Sequence, residues 1–87
     1  MPTKIDEALA AHMDYAVKED PQKELSVILT VKQGTDPALL EKLGLRIHHT
    51  FEAISAVSGT ATVQEIEHLA ELDQVVVIEF DGEMRAI

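Results

Sequence analysis

Short strand and helix patterns alternate between residues 25 and 80, and their order restricts the fold more than any other feature of the chain. β-Branched and apolar residues predict strands over residues 25–31, 45–51, 53–60 and 75–80. Asp36-Pro37 opens a short helix that ends at Gly44. A capping box at residues 62–65 opens a second helix to about residue 72. The order is therefore strand, helix, strand, strand, helix, strand.

This order predicts an α+β domain of the ferredoxin-like type, βαββαβ, with a four-stranded antiparallel sheet and two helices on one face. We expect the strands that start at Leu25 and Ala53 in the centre, and those that start at Leu45 and Val75 at the edges. Glu52 joins the second and third strands, so these form a hairpin or a bulged pair. The other sheet face has no cover from these six elements.

Residues 3–18 predict an additional N-terminal amphipathic helix, with Thr3 and Asp6 as its capping pair. Residues 19–23 form a polar connector that contains Pro21. The chain is thus divided into residues 1–23, helix and connector, and residues 24–87, the sheet domain. The helix packs either on the rest of the chain, where it would cover the open sheet face, or against a second copy.

Composition limits the classes of partner. Sixteen acidic against seven basic residues give a net charge of −9, which argues against nucleic acid and anionic membranes. The chain has no cysteine and no apolar run long enough to span a membrane, and its N-terminus is too charged for a signal peptide. We therefore expect a complete, cytoplasmic protein of 87 residues.

The histidines do not form a metal-binding pattern. His48 and His49 are neighbours on a predicted strand in which alternate residues, including Ile47, His49 and Phe51, share a face. They therefore point to opposite faces, while His12 and His68 lie on separate helices without a partner one turn away. There is no nucleophile elbow and no glycine-rich phosphate loop. We expect no metal, no cofactor and no enzymatic activity.

Four short motifs occur in an order typical of one family. Phe51 is an aromatic residue at a strand end, and Ala53-Ile54-Ser55-Ala56 stands where that family has Gly-Phe-Ser-Ala. A Thr-Glu-Leu helix follows, and Ile78-Glu79-Phe80-Asp81 fits an apolar-acid-any-Asp signature. Residues 25–87 thus resemble the inhibitor I9 family, the propeptides of subtilisin-like serine proteases and their stand-alone relatives. The chain departs from the family at Ala53-Ile54 and in its additional N-terminal helix.

The resemblance implies a non-enzymatic inhibitor or folding chaperone of a subtilisin-like serine protease. In the family the uncovered sheet face packs on two protease helices, acidic side chains cap those helices, and the C-terminal tail occupies the substrate cleft. The family's cleavage point lies six residues after the signature aspartate, which corresponds here to Ile87. The site that the resemblance implies consists of tail residues Met84, Arg85, Ala86 and Ile87, with Glu79 and Asp81 as supporting acids.

An alternative hypothesis assigns the same fold to a protein that does not inhibit proteases. A four-stranded sheet with one bare apolar face is also a common surface for homodimers. The chain would then be a homo-oligomeric interaction or regulatory module, joined through the open sheet face or the N-terminal helix. Ligand-sensing modules of the ACT type share this fold, and Gln33-Gly34 only weakly matches their glycine-rich first loop.

Overall fold

The computed structural model describes residues 4–81. These residues form three α-helices and a four-stranded sheet, which confirms the predicted α+β class. In chain order the elements are α1 (Glu7–Glu19), β1 (Glu24–Val31), α2 (Pro37–Lys42), β2 (Arg46–Phe51), a 3-10 turn (Glu52–Ile54), β3 (Ala56–Thr62), α3 (Val63–Ala70) and β4 (Val75–Phe80).

The sheet has the order β2-β3-β1-β4, and each neighbouring pair is antiparallel. β1 and β3 are therefore the central strands, as the sequence predicted. Leu29 on β1 lies opposite Val57 on β3 and Ile78 on β4. This register places apolar side chains from three strands side by side on one face of the sheet.

α1 begins at Glu7, later than the sequence predicted, and Asp6 is its N-cap. The Asp6 carboxylate accepts a hydrogen bond from the Ala8 N–H at 3.0 Å. The residues before it pair with the outer edge of β4 instead: the Asp6 N–H donates to the Ile78 carbonyl at 2.9 Å, and the Ile78 N–H donates to the Lys4 carbonyl at 2.7 Å. The proposed capping residue Thr3 lies outside the described residues.

The connection between β2 and β3 is longer than predicted. The sequence predicts Ala53 and Ile54 in the third strand, but they lie in the 3-10 turn, and β3 begins at Ala56. Ser55 adopts a left-handed backbone conformation, with φ of 53°, and its N–H donates to the Glu52 carbonyl. This turn reverses the chain within a few residues, so that Phe51 and Ala56 become cross-strand neighbours.

All three helices share one side of the sheet. Alternate residues of β1, from Leu25 to Val31, are buried in a single core that includes Leu9 and Met13 of α1 and Ile66 of α3. The α2 residue Leu40 belongs to the same core. In addition, the His12 ring of α1 stacks on Phe80, with ring centroids 3.8 Å apart. α1 therefore packs on the helical side and does not cover the opposite sheet face.

Candidate functional site

The side of the sheet opposite the helices is uncovered in the described part of the chain. We call it the open face. The strand register defines its members, which alternate with the core residues: Glu24, Ser26, Ile28 and Thr30 of β1, Arg46, His49 and Phe51 of β2, Ala56, Ser58, Thr60 and Thr62 of β3, and Val77 and Glu79 of β4.

Small and hydroxyl-bearing side chains make the centre of the open face shallow. Ala56 and Ser58 on β3 are buried although no helix covers them, because longer side chains on the neighbouring strands flank them. Ile28 and Thr30 on β1 are half-buried, and Phe51 at the β2 edge is 43% exposed. The centre of the open face is therefore a flat surface of apolar and hydroxyl groups, which is suited to contact with another protein.

The two predicted supporting acids lie near one another along β4 and its continuation. Glu79 is exposed on the open face, opposite Ile28. Asp81 follows the strand, and its N–H donates to the Ser26 carbonyl at 2.9 Å. One Asp81 carboxylate oxygen is buried and has no hydrogen-bond partner among the described residues. The backbone of Asp81 thus pairs with β1 beyond the end of β4.

The predicted tail residues Met84, Arg85, Ala86 and Ile87 lie outside the described residues. The last residue that the structure describes is Asp81. Asp81 is held beside Ser26, at the end of the sheet where β1 begins. This end also carries the start of α3 and the Arg46 end of β2.

A bulge in β2 changes the predicted alternation of its side chains. The pairing with β3 shifts between Ile47 and His49, so His48 is the additional residue. Ile47 lies on the helical side, whereas His49 and Phe51 lie on the open face, so the prediction that the three share a face was wrong. Within residues 4–81, no group of three or more metal-ligating side chains comes together.

A charged cluster at the Arg46 end of the sheet was not predicted from the sequence. The Arg46 guanidinium lies 2.8 Å from the Glu24 carboxylate and 3.2 Å from that of Glu65. The hydrogen bond to Glu24 is the main reason why the pKa of Arg46 is raised. These contacts join β2, β1 and α3. Because all three side chains are partly exposed, we expect these ion pairs to contribute little to stability.

The start of α3 confirms the predicted capping box. The Thr62 hydroxyl accepts from the Glu65 N–H at 3.3 Å, and the Glu65 carboxylate accepts from the Thr62 N–H at 2.8 Å. The backbone hydrogen bond from Thr62 is the largest cause of the lowered pKa of Glu65. The capping-box pattern in the sequence indicates that the Glu65 carboxylate is held at the start of the helix. It carries no information that Arg46 is the ion-pair partner of this carboxylate.

Comparisons with protein-family models, with curated proteins and with solved structures give no match. The family resemblance therefore rests on the sequence motifs. Among the helices of residues 4–81, none is long and apolar enough to cross a membrane.

Proposed function

We propose that this chain is a non-enzymatic protein-binding module that acts as an inhibitor or folding chaperone of a subtilisin-like serine protease. The open face packs on the surface of the protease, and tail residues Met84, Arg85, Ala86 and Ile87 occupy its substrate cleft. Glu79 and Asp81 support the contact as acids directed at the partner. This proposal combines the family resemblance with the geometry of residues 4–81.

One observation carries the proposal: α1 packs on the helical side of the sheet. Had α1 covered the opposite side, the face that the family uses would have been blocked. Leu9 and Met13 instead share a core with Val27 and Ile66, so that within residues 4–81 no helix covers the open face. Glu79 lies on that face, and the Asp81 N–H is hydrogen-bonded to the Ser26 carbonyl at one end of the same sheet.

Three contributions to the binding free energy favour contact of the open face and the tail with a protease. Burial of the apolar part of the open face contributes roughly 25 cal/mol for each Å² removed from water. An acid placed at the N-terminus of a partner helix adds about 0.3–1 kcal/mol. An extended tail can pair with the rims of a cleft by strand addition, and the fixed position of Asp81 reduces the entropy lost on binding.

Titration of subtilisin activity tests the proposal. The full chain should inhibit, and a chain that ends at Gly82 should inhibit at least about tenfold less, because it lacks the tail. The substitution Ile28→Lys, which places a charge on the open face, should also weaken inhibition. Tyr15→Lys is the control, because Tyr15 is exposed on α1 and should not affect inhibition. No inhibition by the full chain, or equal inhibition by the full and shortened chains, would refute the tail mechanism.

The open face also favours a second candidate, a homo-oligomeric interaction or regulatory module. Two copies would then bury the face against each other, and the protein would have twice the 9.6 kDa mass of one chain. Light scattering after size exclusion measures this mass. A dimer that Ile28→Lys converts to a monomer, together with a lack of protease inhibition, would favour this candidate over the first.

We also propose a cytoplasmic location. The lack of cysteine suits a reducing compartment. Fractionation of cells that express the tagged chain tests this proposal. Recovery with the membrane or secreted fraction would contradict it.

A further inference from the structure

A groove on the helical side lies between α1 and α3, away from the open face. Its volume is about 310 Å³, at the low end of the range for ligand sites in proteins. Met13 and Val63 are buried and form part of its floor, and Ala10 is half-buried beside them. Val17 also lines it and is 50% exposed. The groove therefore presents apolar surface to solvent.

The helix positions give the groove its length. Glu7, Ala10, Asp14 and Val17 are spaced by three or four residues, so they form one stripe along α1. At 1.5 Å per residue the stripe is roughly 15 Å long, which corresponds to about three turns of a helix. Residues 63 and 67 of α3 line the other side. A groove of this length matches the contact face of a short amphipathic helix.

The rim of the groove carries only negative charge. Glu7, Asp14 and Glu67 are exposed along it, and no basic residue is among the described residues that line it. The ion pairs within residues 4–81 involve other acids, so these three carboxylates are not neutralised by a salt bridge there. The net charge of −9 adds to the negative potential around them.

We propose that this groove binds a cationic amphipathic helix of another protein. Apolar side chains of that helix would lie on Met13, Val17 and Val63, and its lysine or arginine side chains would pair with the acidic rim. A second copy of this chain is a poor occupant, because its groove would bring the same carboxylates face to face. An anionic membrane would be repelled for the same reason.

The binding is independent of the proposed function, because the groove and the open face lie on opposite sides of the sheet. One chain could therefore hold two partners at once. Failure of the groove proposal would leave protease inhibition unaffected, and the reverse also holds.

Fluorescence anisotropy with a labelled synthetic helix of leucine and lysine, added to the full chain, tests the proposal. A matched peptide with glutamate in place of lysine should not bind. The double variant Asp14→Asn/Glu67→Gln should weaken binding by about fivefold, since each rim pair contributes modestly. Glu41→Gln/Glu52→Gln removes the same charge from exposed positions outside the groove and should change binding less than about twofold.

A second pair of variants tests whether the apolar side chains of the groove contribute to binding. Val17→Ser should weaken binding by about threefold, whereas Tyr15→Ser, which is 65% exposed on α1 but outside the groove, should have no effect. Both positions are exposed, so neither change threatens the fold. The proposal is overturned if the lysine peptide does not bind, if both charge variants weaken binding equally, or if Val17→Ser and Tyr15→Ser behave alike.

Discussion

At the scale of single residues, Gly59 on β3 lies too close to the β2 backbone to carry a side chain. A Cβ atom added there would overlap the Arg46 carbonyl oxygen on β2, and backbone atoms cannot move aside cheaply. Gly59→Ala should therefore lower the free energy of unfolding by about 3 kcal/mol. Gly34→Ala is the control: its Cβ would meet open space, and its positive φ should cost only about 1 kcal/mol. Urea unfolding measures both, and equal losses would contradict the predicted overlap.

A further prediction concerns Glu65, whose contribution to the free energy of unfolding depends on pH. Its pKa is lowered in the folded protein, so its carboxylate stabilises the fold at pH values above the ordinary range for glutamate. That contribution is lost as the pH falls through the lowered pKa. Glu65→Ala should cost about 1 kcal/mol at pH 7, and the difference from the parent should shrink towards pH 3. Glu67→Ala serves as control, since Glu67 is exposed and caps no helix. A loss that is constant with pH would show that the carboxylate charge is not responsible.

At the scale of elements, the outer edge of β4 is protected by the chain's own N-terminal residues. The Ile78 N–H donates to the Lys4 carbonyl, and the Lys4 ammonium donates to the Leu72 carbonyl. An edge covered in this way is less open to pairing with other chains. The β2 edge has no such partner among the described residues.

Hydrogen exchange measures this protection. In the full chain the Ile78 amide should exchange slowly, and in a chain that lacks residues 1–5 it should exchange at least about tenfold faster. The Leu29 amide, in the central strand β1, should change much less and reports whether the truncated protein is still folded. Equal acceleration at both positions would indicate general destabilisation instead.

At the scale of the whole molecule, α1 belongs to the same core as the sheet. Leu9 is fully buried together with Leu29 and Ile78. We therefore expect α1 and the sheet to unfold in one cooperative transition. Tyr15 is the only tyrosine, the chain has no tryptophan, and Tyr15 lies on α1. Its fluorescence and far-UV circular dichroism should give the same urea midpoint. An earlier change in the tyrosine signal would show that α1 detaches independently.

The sequence by itself determined the order of the elements and the capping of α3. These features depend on local patterns: β-branched runs at 25–31 and 75–80, the Thr62–Glu65 box, and the proline at the start of α2. It also indicated that the elements between residues 25 and 80 leave one sheet face without cover. The candidate site was therefore predictable in outline, as a sheet face followed by an acid-bearing strand.

Only the tertiary structure decided where α1 packs. Periodicity shows that a helix has an apolar side, but not which of several apolar surfaces that side meets. The use of residues 4–6 as a partner for β4, the bulge at His48 and the left-handed Ser55 likewise depend on contacts between distant segments. Local propensity carries no information about such contacts. The open face, and with it the proposed function, follows from the side of the sheet on which Leu9 and Met13 are buried.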